Sequence, residues 1–411
     1  MNKITKKMMK KNLLKYGFLA LLMPLLTTSC ASDSDLPATT AEASVVIDLN
    51  NFTYAKAKLA IESGSAVILK DSASTIPVAA FKKMENVSMS LEGETVNSYE
   101  GNDSVSVSLS DEFISFLIGN AGSEQGYVSY ASTEEMNAQA KVYSEISSAT
   151  RSSVTSAVTL SPEGKSMKIN IHEARKAHDV STKSSLSAAE DDSETVSLQE
   201  QERMAETLIT RASGYTFPRN RTVNIYLLIG KNATRPISYE LAWQVEKAQK
   251  SIDDVFSGDR GNAPKLVFTV QDCDFNNTND SGADLANFRT FVYSNSTKYP
   301  TAGKDVFMLV RQWWWSSSVL GRAYTNVYDI NRADNSYAFG ISQTTCLNAT
   351  VLAHELGHVF GVSGHSTTPW YRLNKDLMNA TCYAWVGCYH RTDINQGSSF
   401  RNAIYNNLKQ K

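Results

Sequence analysis

From Ala43 to about His178 the chain consists of short apolar or alternating runs broken by Gly, Asn, Asp and Ser. Val45-Val46-Ile47-Asp48-Leu49, Ala66-Val67-Ile68-Leu69, Val105 to Leu109 and Phe113 to Ile118 each predict a strand. One helix is expected where Ser132 and Glu135 form a capping box ahead of the run Glu135–Ile146. Residues 179–211 are rich in Ser, Glu and Asp with few aromatics, and read as an exposed linker, partly helical at its end. Beyond it, Thr222 to Ile229 predicts a strand ended by Gly230. Leu241, Val245, Ala248, Ile252, Val255 and Phe256 then keep helical spacing over Ile237–Phe256. Lys265–Val270 and Asp305–Val310 are expected strands, with a helix around Asp284–Tyr293 between them. Strands alternating with helices imply a mixed α/β layer, hence a separate second domain of roughly 200 residues.

The 411 residues are 42% hydrophobic and 20% charged, enough for a packed core and two or three domains. Forty basic against 42 acidic residues leave a net charge of −2, so no uniform positive field exists to hold nucleic acid or anionic lipid. No apolar stretch approaches the ~18 residues that cross a bilayer, which excludes a multi-span membrane protein. The start of the chain is read separately. Lys3, Lys6, Lys7, Lys10, Lys11 and Lys15 precede the apolar run Phe18–Leu26, and small residues lead into Cys30. This is the pattern of a bacterial lipoprotein signal with lipidation on Cys30, although Thr27 stands where a larger apolar residue is commonest; an ordinary secretory signal is the alternative. The expected plan is a signal over 1–29, a polar tether over 30–42, and membrane association only through the lipid anchor. Cys273, Cys346, Cys382 and Cys388 remain, an even number that favours disulfides in an exported chain. Cys382 with Cys388 is the first candidate pair, and a structural zinc site on these thiols is the weaker option.

Four of the six histidines lie in the last 60 residues, and residues 354–365 read His-Glu-Leu-Gly-His-Val-Phe-Gly-Val-Ser-Gly-His. On a helix His354 and His358 share one face about 6 Å apart, so both imidazoles can reach one Zn²⁺. Glu355 is then placed to take a proton from a water at an open ligand position, the general-base role of a zinc hydrolase. Gly361 lets the chain turn back with positive φ and bring His365 round as third ligand. A pair of helix-surface histidines with an incidental Glu would explain His354 and His358, but not Gly361, His365 and the Lys375-Asp376-Leu377-Met378 segment together. Met378 sits where a methionine turn beneath the metal would fall.

On these motifs the chain resembles the metzincins, and within them the fragilysin-type enterotoxin metalloproteases. The likeness includes Ile47-Asp48-Leu49, Ile68-Leu69-Lys70-Asp71, Lys168-Ile169-Asn170-Ile171, Thr210-Arg211-Ala212, the His354 motif and Lys375 to Met378. The resemblance implies an α+β protein: a mostly-β prodomain with a helix over 43–178, an inhibitory and activation linker over 179–211, and a catalytic domain over 212–411. That domain would carry a twisted five-stranded mixed sheet, an active-site helix and a C-terminal helix. It further implies His354, His358 and His365 as ligands of one Zn²⁺, Glu355 as base, and Met378 as the methionine turn. A prodomain acid would block the metal in the precursor, with Asp191 and Asp192 the candidates and Glu194 a weaker one. A trypsin-like or cysteine protease would then cut between Arg211 and Ala212. The lipidated precursor would sit at the bacterial outer membrane or cell surface, and the mature enzyme would be secreted to act on protein or peptide substrates, host adhesion proteins among them.

One departure stands out. Three residues, Val362, Ser363 and Gly364, separate Gly361 from His365 where the family usually has two; Gly364 is expected to absorb the extra residue as a bulge, and His390 is the alternative third ligand. The edge strand expected to pair with substrate is Leu320–Val327, and Trp313-Trp314-Trp315 is either a recognition rim or a core cap. The competing functional reading is a surface lipoprotein that binds host protein or glycan through an inactive metzincin-like domain. A zinc hydrolase of cell-wall peptides is a third, with no wall-binding repeat to support it.

Overall fold

The computed structural model describes residues 44–72, 74–102, 104–119, 124–150, 158–171, 193–195, 222–278, 280–312, 320–332, 334–344, 350–365, 374–375, 377–378, 389–390 and 397–409, with backbone alone for 142–150, 193–195, 374–375, 389–390 and 397–398. Cys30, Asp191, Asp192, Arg211, Ala212, Trp313 to Trp315, Cys346, Cys382, Cys388 and the side chains of Glu194 and His390 lie outside the described residues.

The first elements form a small three-stranded sheet of β1 (Val45–Asp48), β2 (Val67–Lys70) and β3 (Thr75–Val78), covered by α1 (Tyr54–Glu62). The reading of a single helix in this half missed α1, whose nine residues are marked chiefly by Thr53 as N-cap accepting from the Lys56 N–H. An antiparallel meander follows: β4 (Val87–Leu91), β5 (Glu94–Asn102), β6 (Val105–Leu109), β7 (Phe113–Ile118) and β8 (Gln125–Tyr130). Helix α2 (Thr133–Thr150) begins with half of the expected box: Ser132 Oγ accepts from the Glu135 N–H, but its hydroxyl donates to Glu134, and the Glu135 carboxylate accepts from Gln139. Strands β9 (Val158–Leu160) and β10 (Met167–Asn170) return to the far side of β8.

Between the halves lies β11 (Ser193–Thr195), so the segment expected to be an exposed linker contributes a strand. The second half comprises β12 (Thr222–Gly230), α3 (Ser238–Val255), β13 (Lys265–Cys273), α4 (Ser281–Ser294), β14 (Val306–Arg311), β15 (Gly321–Thr325), β16 (Phe339–Gln343), α5 (Val351–Val359) and α6 (Gly397–Leu408). Its five strands run β13-β12-β14-β16-β15, all parallel except β15. Strand β14 is buried along its length, as a parallel strand covered on both faces must be.

The second half is not a separate layer. Strand β4 pairs in parallel with β13, from Val87 opposite Leu266 to Leu91 opposite Val270, and joins both halves in one fourteen-stranded sheet. One hydrophobic core runs across the junction, with Met89, Phe113, Val128 and Tyr130 in the same cluster as Leu241, Trp243 and Phe268. Gly126 on β8 admits the Trp243 ring, which a Cβ there would strike, and Tyr130 meets Tyr239 edge-on at 6.5 Å. Buried Glu124 forms an ion pair with Lys247 across the same interface. Cys273 is a buried free thiol at the end of β13, so the expectation that all four remaining cysteines pair does not hold.

A second tie fixes the small sheet. Asp71 follows β2 and accepts both the Tyr127 hydroxyl at 2.9 Å and the Lys168 ammonium at 3.1 Å. Burial pushes this carboxyl up, but Lys168, the Ser72 N–H and Tyr127 outweigh it and hold it at about 2 against an ordinary 3.8. A carboxylate depressed on folding stabilises the fold above its unfolded value and loses that contribution as pH falls through the folded one. Asp71→Asn should therefore cost on the order of 2 kcal/mol at neutral pH. Urea unfolding should show this gap to the parent shrinking as pH drops from about 4 towards 2; a gap constant with pH would refute the role assigned to Asp71.

Candidate active site

Every residue of α5 is buried, which an amphipathic surface helix would not be. It is held at both ends by other elements. At its start Thr350 makes no side-chain cap; instead the Gln244 amide, buried on α3, accepts from the Leu352 N–H at 2.9 Å and donates to the Gln343 carbonyl at 3.2 Å. At its end the segment after β15 supplies the missing donors: Asn326 N–H reaches His358 O at 2.9 Å, and the Val327 and Tyr328 N–H groups reach Val359 O. These close the orphan carbonyls that every helix C-terminus leaves.

The two helical histidines are oriented from behind. His354 Nδ1 lies 2.6 Å from the Leu377 carbonyl and His358 Nδ1 lies 2.8 Å from the Val362 carbonyl. A carbonyl only accepts, so both rings carry the proton on Nδ1 and present a bare Nε2. Those Nε2 atoms are 3.2 Å apart, and His365 Nε2 is 3.1 Å from that of His358. Facing lone pairs at this distance repel unless a cation lies between them. Tetrahedral Zn²⁺ with Zn–N near 2.05 Å would set such nitrogens about 3.3 Å apart. The three donors therefore fit a single divalent metal ion, with His354 and His358 buried and His365 half-buried.

Gly361 takes φ +138°, as its place in the motif predicts, and a Cβ there would fall 2.9 Å from Asn407 Nδ2 and 3.1 Å from the Ala403 backbone on α6. Gly364 is not left-handed, and the space beside it is open. The extra residue is taken up in an ordinary bend between buried Val362 and His365. Met378 is fully buried beneath the helix, where Gly357 makes room for it; a Cβ on Gly357 would sit 2.5 Å from the Met378 sulfur. Glu355 is buried and points towards β15, its carboxylate lying against Gly321, where any Cβ would collide with it. Gln244, Gly321, Asn326 and Asn407 were not singled out by sequence. Of these only Gln244 carried a signal, a polar residue on the otherwise apolar stripe of α3.

Strand β15 is the sheet edge expected at Leu320–Val327, and it does not face solvent. Strand β11 pairs with it in parallel, Ser193 opposite Ala323 and Thr195 opposite Thr325. His390 enters only as backbone, in a two-residue bridge of Tyr389–His390 with Asn374–Lys375.

The mixed sheet, the helix beneath its antiparallel edge strand and the converging histidines above a buried methionine form the arrangement that the sequence resemblance leads one to expect. Residues 46–175 match the family described as the N-terminal domain of fragilysin. Over nearly the whole molecule the fold is that of metalloproteinase-II from Bacteroides fragilis, with a TM-score of 0.68 at 17% identity, covering 90% of this chain and 99% of that one. A structure described as a chaperone–substrate complex overlaps 47% of this chain and 35% of its own at 11% identity; its TM-score of 0.30 bears on nothing here. The chain thus resembles the N-terminal domain of fragilysin over residues 46–175 and shares its overall fold with metalloproteinase-II.

Gly361→Ala would force a side chain into a left-handed backbone already pressed against α6. It should lower stability by about 1–3 kcal/mol in urea unfolding; a loss below about 0.5 kcal/mol would mean that the turn is not confined as described.

Proposed function

We propose that the protein is a zinc-dependent endopeptidase, made as a latent precursor and acting on extracellular proteins. The observation that carries this is the convergence of three imidazole Nε2 atoms beside a buried Glu355 on the helix under a sheet edge. His354, His358 and His365 would hold the ion, and Glu355, fixed against Gly321, would hold and move the proton of the attacking water. When bound, zinc would polarise the scissile carbonyl and acidify water to a pKa near 7. Strand β15 would align extended substrate by main-chain pairing. The Leu377 carbonyl keeps His354 in place, and Met378 packs against Gly357 under the same helix.

Latency is supported by β11. A sheet edge accepts one partner strand at a time, and β11 already occupies β15. Asp191 and Asp192 directly precede β11 in sequence, which suits an acid that blocks the metal in the precursor. Cleavage between Arg211 and Ala212 by a trypsin-like or cysteine protease would free this segment from the second half. The signal pattern at Cys30 supports a lipidated precursor at the bacterial surface, with the cleaved enzyme secreted. The resemblance makes host adhesion proteins the substrate class to test first. No observation favours the inactive binding module over this reading, because Glu355 is present and placed.

The test is a chain of residues 31–411, nicked with trypsin and assayed on a denatured protein. Activity should appear only after nicking and vanish with a zinc chelator. Glu355→Ala should retain zinc yet lose about 10²–10⁴ in rate. Zinc bound without activity would favour the binding module, and no zinc uptake would overturn the assignment.

A further inference from the structure

We propose that Asn407, near the end of α6, is the positioning residue that ties the turn carrying His365 to the end of the substrate-side edge strand. The inference rests on the zinc reading of the three histidines and adds a residue from the far end of the chain. The Asn407 side-chain amide has two hydrogens. One is donated to Asn326 Oδ1 at 2.9 Å, the other to the Phe360 carbonyl at 3.0 Å. The main-chain carbonyl of Asn407 accepts from the Ile330 N–H at 2.8 Å. Three hydrogen bonds from one residue thus reach the strand end, the loop after it and the turn beyond the metal helix.

The segments so joined are the ones that set the site. Phe360 is the cap residue of α5 and lies between His358 and His365. Asn326 ends β15 in a left-handed conformation, φ 55°, and its N–H satisfies His358 O. The turn presses on α6 so closely that only glycine fits at 361, and the nearest atom to a Cβ there is Asn407 Nδ2. Movement of the Phe360 carbonyl shifts the path to His365, and movement of Asn326 shifts the edge that substrate would pair with. One amide therefore couples ligand placement to substrate register.

Helix α6 does not depend on this amide to stay docked. Arg401 pairs with Asp254 at 2.8 Å, Tyr405 donates to Asp259 at 2.8 Å, and Ile404 and Leu408 are buried. Asn407→Asp keeps the shape, removes both donors and sets an oxygen anion against the Phe360 carbonyl, so its effect should fall on the turn and not on the helix.

In the full chain, metal-free hydrogen exchange should quicken over both 325–330 and 359–365 in Asn407→Asp. Outer groups that orient metal ligands are worth about 10–100-fold in metal affinity, so zinc affinity in chelator competition should weaken by about tenfold or more. After nicking, KM should rise along with it. Asn326→Gly, which suits the left-handed backbone and removes one acceptor, should shift exchange and affinity in the same direction by less, and decides the matter if Asn407→Asp fails to fold. Unchanged exchange in the two segments, or zinc affinity within about twofold of the parent, would overturn the inference, as would a lower thermal midpoint alone. If the parent itself takes up no zinc, the zinc reading falls. Exchange then decides by itself whether Asn407 links the two segments.

Discussion

Two imidazoles whose Nδ1 protons are already committed to backbone carbonyls must aim their Nε2 lone pairs into one small volume, and a third joins them from the turn. Such a cluster repels itself until a cation enters, so its geometry has to be imposed by the surrounding protein. That requirement accounts for the unusual setting of α5. The helix is buried on every side, its Leu352 N–H answered by Gln244 from α3 and its last carbonyls by residues 326–328. Methionine fills the space beneath it, and glycine at 357 and 321 admits that sulfur on one side and the Glu355 carboxylate on the other. Remove any of these and the histidines would relax apart before a metal could hold them.

The same helix arrangement makes the N-terminal half part of the site's support. Helix α3 packs against α5 and is itself covered by the meander, where Trp243 lies on Gly126 and Lys247 is sealed against Glu124. Two of its buried polar side chains are answered from the second half: Glu240 accepts from Gln312, and Gln249 accepts from the Leu266 N–H. With strand pairing between β4 and β13 added, cutting the chain between the halves removes no contact between them. Burying Tyr239 and Trp243 in one core with Phe113 and Val128 is worth several kcal/mol at ordinary transfer values. A cut in the linker alone would therefore loosen the β11 segment first, and release of the second half would further require this shared sheet and core to open.

Much of this was legible because it is written locally. The four-residue spacing of His354 and His358, the turn glycine, the meander strands β6 and β7 and the alternation of strand and helix in the second half all depend on near neighbours in sequence. What was missed depends on distant ones. Nothing around Val87 announces that β4 will pair with β13, and Asn407 looks like any polar residue near a chain end. Helix α1 is short, and its apolar residues are scattered among lysines, so its cap at Thr53 was the only firm mark. Ser193–Thr195 sits in a polar, acidic stretch and forms a strand because β15 offers it an edge, not because of its own composition.

The extra residue before His365 illustrates how a spacing rule can fail while the geometry behind it holds. A fixed count between glycine and third histidine matters only if each intervening residue is constrained. Here the constraint ends at Val362, which is buried, donates its N–H to Gly357 O at 3.0 Å, and lends its carbonyl to His358 Nδ1. Up to that point the turn is locked to the helix, with Gly361 forced left-handed by the approach of α6. Beyond it Ser363 is exposed and Gly364 has open space around it, so one residue more lengthens an unconfined bend at little cost. His365 still arrives 3.1 Å from His358. What fixes the path here is the anchoring of Val362, and the residues that follow only have to close the distance to the metal-facing histidines.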